Sequence, residues 1–198
     1  LVKEGVDILV LDVAHAHSEM ALSSLRELKK KFNVDVLAGN IATGEAAKDL
    51  IKAGADGIKV GIGNGTICTT RIVAGCGMPQ LTAIFDVVKV CKKHGVPVSN
   101  EGGIAAPGNF AKAIAAGCNA AIFGSVFAGS EETPGPIVYK NGKRYKHYHG
   151  STSYISNVMK EAREKKKIVK KFLKDAYVEG VESLVPFKGP AKNAIDAY

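Results

Sequence analysis

The sequence contains no apolar run near the ~18 residues that a membrane-spanning helix requires; its most apolar stretch, Ile8 to Ala14, is broken by Asp12. Its four cysteines, Cys68, Cys76, Cys91 and Cys118, include no CxxC pair. Structural zinc and the disulfide framework of a small secreted domain are therefore not expected, and reduced thiols in a cytoplasm fit best. No basic, apolar and small-residue series precedes the first folded-looking segment, so no secretory signal is read. The first residue is Leu, and a start inside a longer polypeptide is expected. No GxGxxG opens the first strand-like unit, which disfavours a Rossmann fold. What is present is a soluble globular composition, 198 residues with 46% hydrophobic and 23% charged, long enough for a sizeable core. Lys and Arg exceed Asp and Glu by 27 to 19, and the resulting +8 suits anionic partners such as nucleotides.

A short apolar run followed by a glycine-rich or polar turn and a helical stretch recurs five times. The runs Asp7 to Asp12, Val34 to Ala38, Gly57 to Val60, Val96 to Ser99 and Ala120 to Phe123 are too short for helices and read as buried strands. Between them, Ser18 to Phe32 carries Met20, Leu22, Leu25, Leu28 and Phe32 at helical spacing, and Ser18 reads as its N-cap. Thr43 to Ala53, Gln80 to His94 and Pro107 to Ala116 behave likewise. Alternating strands and helices predict a parallel sheet with right-handed crossovers, either open and doubly wound or part of a barrel. The strands end in Asp12, Gly39-Asn40, Gly61, Asn100-Glu101-Gly102-Gly103 and Gly124-Ser125. Both folds place their chemistry at strand C-terminal ends, so these residues mark the working face. A complete eight-unit barrel takes ~250 residues, and five units cannot close one.

The chain is read as one domain in three parts: strand and helix repeats over 1–125, a flap and lysine-rich helix over 126–182, and a tail over 183–198. Val126 to Ser156, rich in turn residues, predicts a hairpin or lid. The lysines of Ser156 to Lys174 read as a solvated helix face. No aromatic platform or recognition motif accompanies them, so nucleic acid is not the expected partner.

The stretch Gly61 to Gly77, GIGNGTICTTRIVAGCG, is the most informative. Three glycines in five residues allow close backbone approach to a ligand. Cys68 follows them at a strand end, among N–H dipoles that favour a thiolate nucleophile. Cys76, Cys91 and Cys118 read instead as small apolar residues in turns.

The string GIGNGTICTTR resembles the cysteine loop of inosine monophosphate dehydrogenases and GMP reductases. The order of LDVAHAHS (Leu11 to Ser18), AGNIATGEAA (Ala38 to Ala47), EGGI (Glu101 to Ile104), FGSVFAGSEETPG (Phe123 to Gly135) and VPFKG (Val185 to Gly189) agrees with that family. The resemblance implies a (β/α)8 TIM barrel of which this chain supplies the fourth to eighth strands. A sheet with an open edge and apolar interior would be aggregation-prone, so a larger chain or another chain is expected to complete it.

Both branches of the family bond a cysteine to purine C2, which makes Cys68 the implied nucleophile. Dehydrogenases oxidise IMP with NAD and use an Arg-Tyr pair located after the flap turn. Reductases convert GMP to IMP and ammonia with NADPH. The sole Arg-Tyr here, Arg144-Tyr145, precedes the turn Gly150-Ser151-Thr152-Ser153, which favours the reductase. The resemblance then assigns proton delivery to Thr70 and Glu179, and the 5'-phosphate to Gly103 and Gly124-Ser125. It places the ribose at Glu101 and Gly102, the purine near Gly150, Ser151 and Thr152, and the nicotinamide cofactor at Asp12. His15 and His17 read as helix-entry or core residues. Potassium at the carbonyls of Gly63, Gly65 and Cys68 accompanies the dehydrogenase alternative, and a homo-oligomer, a tetramer, is implied for either. Glu101 stands where the family has Asp. That departure and the missing units motivate a third reading, a catalytically silent purine-nucleotide-binding subunit.

Overall fold

The computed structural model describes residues 1–151, 153, 154, 156 and 180–198, and they divide into two compact units. The first comprises Leu1–Asn64 and Gly77–Ile122. Its strands are β1 (Ile8–Asp12), β2 (Asp35–Ile41), β3 (Gly57–Val60), β4 (Val98–Glu101) and β5 (Ala120–Ile122). They pair in parallel in the sequential order β1-β2-β3-β4-β5. A doubly wound sheet reverses its order at a switch point, whereas consecutive barrel units do not. The sheet is therefore part of a TIM barrel, five successive strands of it joined by helical crossovers.

The crossover helices form where the sequence supplies caps and an apolar stripe. α1 (Glu19–Lys31) begins at Ser18, whose Oγ accepts from Ala21 N at 3.4 Å. α2 (Gly44–Lys52) begins at Thr43, whose Oγ1 accepts from Ala46 N at 3.2 Å. α4 (Gln80–His94) ends at Gly95 in the left-handed region (φ 68°), and α5 (Pro107–Ala115) starts with proline at a position that needs no N–H. Leu25 and Leu50 from the helices meet Val36, Ile58, Val60 and Val87 in one buried cluster.

Two helix-face expectations need correction. Met20 is 81% exposed and Phe32 40%, while Leu22 and Leu25 are buried. At 100° per residue Met20 lies well off the Leu22–Leu25 stripe, so it cannot share that face. β4 begins two residues later than its apolar run, because Pro97 has no N–H to pair and contributes only its carbonyl to Ile58 N. Cys91 lies inside α4 rather than in a turn, and Cys76 is exposed.

The second unit comprises Gly65–Cys76 and Phe123–Tyr198. It holds the short helix α3 (Thr70–Val73), the strands β6 (Ile137–Lys140), β7 (Lys143–His149) and β8 (Glu182–Pro186), and the helix α6 (Ala191–Asp196). β6 and β7 form the hairpin expected in this stretch. Its two-residue turn is Asn141-Gly142, with φ 51° and 71°, the left-handed pair that matches strand twist. β8 adds antiparallel to β7. Lys146, 4% exposed, points its ammonium at three carbonyls of the preceding loop, those of Glu131, Thr133 and Gly135. The lysine-rich segment from 157 onward lies outside the described residues, as do Thr152 and Glu179.

Truncating Leu50 to alanine should cost about 2–5 kcal/mol in urea unfolding, whereas Met20→Ala should stay within about 0.5 kcal/mol. Equal losses would contradict the assignment of the buried face.

Candidate functional site

In the first unit, parallel pairing brings the C-terminal ends of β1 to β4 to one edge. Asn40 ties three of them together. Its Nδ2 donates to Gly61 O at 2.7 Å, its N donates to Val13 O, and its carbonyl accepts from Ala16 N. Gln80, at the start of α4, donates through Nε2 to Val60 O (3.0 Å) and Asn100 Oδ1 (2.7 Å), and Asn100 Nδ2 donates to Gly102 O (3.1 Å). Asn64 Nδ2 donates to Glu101 O at 2.7 Å, holding the glycine-rich loop after β3 to the loop after β4. Gly61 (φ 141°) is obligatory in this packing, since a Cβ there would lie 2.2 Å from Glu101 O. Asn40 is marked in the sequence as a strand-end residue, whereas Asn64 and Gln80 are not singled out there, their polar character beside apolar runs being their only signal.

The charged centre of this edge is Lys59. It is 1% exposed, and its ammonium lies 2.5 Å from Asp12 Oδ1 and 2.7 Å from Glu101 Oε2. The Glu101 contact lies within ion-pair distance, and among the described residues Oε2 has no hydrogen-bond partner. Asp12 and Glu101, both expected ligand-binding residues, are thus joined through a lysine hidden inside an apolar strand. Gly102 and Gly103 follow with φ 76° and 73°. His17 pairs with Asp49 of α2 at 3.0 Å, in keeping with a helix-entry role. The hydrogen bond from His17 is the main cause that holds the Asp49 carboxyl below its ordinary value, with Lys52 adding to it and burial opposing it.

In the second unit, Cys68 is half-buried and its thiol donates to Thr70 Oγ1 at 3.1 Å. Cys68 N donates to Gly65 O, and the hydroxyl-bearing Thr70 opens α3. The loop is held by chain distant in sequence: Cys68 forms an antiparallel bridge with Gly180, and Val181 N donates to Ile67 O at 3.1 Å. Gly150 N donates to Val181 O, and the Gly150 carbonyl accepts from Ser153 N and Ser156 Oγ. The structure therefore brings Cys68, Thr70, the Gly150 turn and the residue following Glu179 together. Ser151 lies exposed in that turn. Gly124 and Ser125 open the turn after β5, and a Cβ on Gly124 would lie 3.1 Å from the Tyr148 hydroxyl, a group that sequence reasoning did not single out. Gly63 belongs to the first unit, and Gly65 and Cys68 to the second.

Comparison with known proteins agrees with this geometry. A family model described as the IMP dehydrogenase / GMP reductase domain matches residues 1–198. An inosine-5'-monophosphate dehydrogenase of Nitrosopumilus maritimus is 46% identical over 191 residues, 96% of this chain and 40% of the relative. A GMP reductase of Leishmania donovani is 47% identical over 193 residues, 96% of this chain and 39% of the relative. The crystal structure of the C318A variant of Trypanosoma brucei GMP reductase with guanosine 5'-monophosphate superposes with a TM-score of 0.91 at 40% identity, covering 99% of this chain and 40% of that one. The chain spans about two fifths of the length of these relatives.

The thiols separate by environment. Burial pushes those of Cys91 and Cys118 up to about 11. Alkylation of the native protein near pH 8 should modify Cys68 and Cys76 and spare Cys91 and Cys118, as read by peptide mass spectrometry; early labelling of Cys91 would contradict its burial. Above an ordinary thiol value of 9.0, the unfolded chain loses these two protons before the native state does. Stability should therefore fall as pH rises from about 9 to 11.

Proposed function

Because the chain belongs to the IMP dehydrogenase / GMP reductase family, an oxidoreductase family, we propose that it carries the nucleotide face of a GMP reductase, converting GMP to IMP and ammonia with NADPH. The observation that carries the choice concerns Arg144-Tyr145, the sole Arg-Tyr of the sequence. It sits inside β7, paired to β8, with the Arg144 guanidinium 4.5 Å from the Phe187 ring centroid. An arginine engaged in sheet packing is poorly suited to serve as the water-activating base of a dehydrogenase flap.

In this reading the Cys68 sulfur adds to purine C2, and the departing amine leaves as ammonia after taking a proton. The 3.1 Å separation of its hydroxyl from the Cys68 thiol supports Thr70 as the donor in that transfer. Glu179 precedes Gly180, whose bridge to Cys68 supports a role in the same proton path. NADPH supplies the two-electron reduction at C2, and release of the Cys68 sulfur completes IMP. Asp12 suits that cofactor: its side chain is 65% exposed, so beside its pair with Lys59 it can accept from ribose hydroxyls. Glu101 would hold the nucleotide ribose through the oxygen that Lys59 does not engage. The successive glycines 102 and 103, with left-handed φ values, leave the backbone there without side chains to obstruct it, which supports close approach of a phosphate. The resemblance also assigns the phosphate to Gly124 and Ser125, and within the second unit the Tyr148 hydroxyl stands beside Gly124. Gly150, Ser151 and Thr152 would line the purine.

Absorbance at 340 nm with the full-length protein tests this. GMP-dependent NADPH consumption is expected; NADH formation from IMP and NAD, stimulated by potassium, would replace the reductase with the dehydrogenase. Nucleotide binding without either turnover would indicate a silent binding subunit. Cys68→Ala should abolish turnover while retaining GMP binding, and Thr70→Ala should lower kcat by about 10²–10⁴ with little change in KM, the range for a lost proton-transfer group.

A further inference from the structure

The three charged groups at the sheet edge are arranged across four strands. Asp12 on β1 is in register with Gly39 on β2, and Gly39 with Lys59 on β3; Glu101 comes from β4 on the other side. Strands two apart are separated by about 9.5 Å, so the lysine stem must pass over β2 to reach Asp12. It passes where β2 has no side chain. A Cβ on Gly39 would lie 2.5 Å from Lys59 Cβ and 2.4 Å from its carbonyl oxygen. One ammonium, 1% exposed, thereby serves two carboxylates, one 65% and one 30% exposed. The triad carries a net charge of −1, and what one carboxylate yields of the ammonium the other gains.

We propose that Lys59 is a positioning residue that couples the two ligand sites antagonistically. A hydroxyl donor that satisfies Asp12 releases the ammonium toward Glu101. There it competes with the hydroxyl donors of the second ligand, and affinity at Glu101 falls. Thermodynamic reciprocity requires the same factor in the other direction. The identity of the two ligands, a nicotinamide cofactor at Asp12 and a purine mononucleotide at Glu101, rests on the function proposed above.

Calorimetric titration of the full-length protein with GMP, with and without saturating NADP+, tests the coupling without turnover. NADP+ should raise the Kd for GMP about fivefold, the lower end of typical couplings, and Lys59→Gln should reduce that ratio to one. Lys59→Arg, which keeps the charge, should preserve the antagonism. Asp12→Asn, at a largely exposed side chain, guards against a folding failure of the lysine variant. It should weaken GMP about fivefold with no cofactor present, although Asp12 is not assigned to the nucleotide. An equal ratio in Lys59→Gln and the parent, or no antagonism in a parent that binds both ligands, would overturn the inference alone. Failure of the parent to bind GMP or IMP would overturn the functional reading and the inference with it.

Discussion

Burying the Lys59 ammonium is the constraint around which the first unit is arranged. Removing an ion of that size from water costs several kcal/mol even after relaxation, and leaving it unpaired would be strongly destabilising. The carboxylates of Asp12 and Glu101 answer that cost from strands on either side. Their reach depends on β1 to β4 stacking in sequential register, and on β2 presenting glycine where the lysine crosses. The pair also leaves carboxylate surface exposed at the strand ends, where a ligand can use it. Structural neutralisation thus draws on two carboxylates that the proposed function also assigns to ligands.

The second unit solves a different problem with backbone rather than charge. The glycine-rich stretch 61–65 that leads into it from the first unit has little intrinsic order. Around Cys68 the order comes from main-chain bonds to Gly180 and Val181, which in turn meet Gly150. Cys68 is thus held by segments more than eighty residues downstream, with Thr70 supplied locally by the first turn of α3. Lys146 adds side-chain support for the loop at 131–135, its ammonium meeting three carbonyls there.

The strand and helix order was legible because apolar runs of four to seven residues alternate with capped amphipathic stretches, and both signals are local. The barrel could be preferred over the open sheet only weakly from sequence, since strand order is a long-range property. Met20 misled because an apolar residue near a stripe looks like part of it until its angle is counted. Cys68 was legible through its glycine-rich setting, and Asp12 and Glu101 through their place at strand ends. Lys59 was not, because a lysine between Ile58 and Val60 reads as a tolerated interruption until its partners on β1 and β4 are known. Asn64, Gln80 and Tyr148 escaped for the same reason: their contacts lie in space rather than in the spacing of the chain.

The close approach at Gly39 also sets a direction for evolutionary change. A Cβ at that position would collide with the carbonyl oxygen of residue 59 as well as with its Cβ, so the obstruction belongs to the backbone and does not depend on which residue stands at 59. No substitution at 59 therefore opens 39 to a side chain. Among descendants of this sequence, this place on the second strand should stay barred to side chains whatever stands beside it on the third, a one-way dependence between neighbours in the same row.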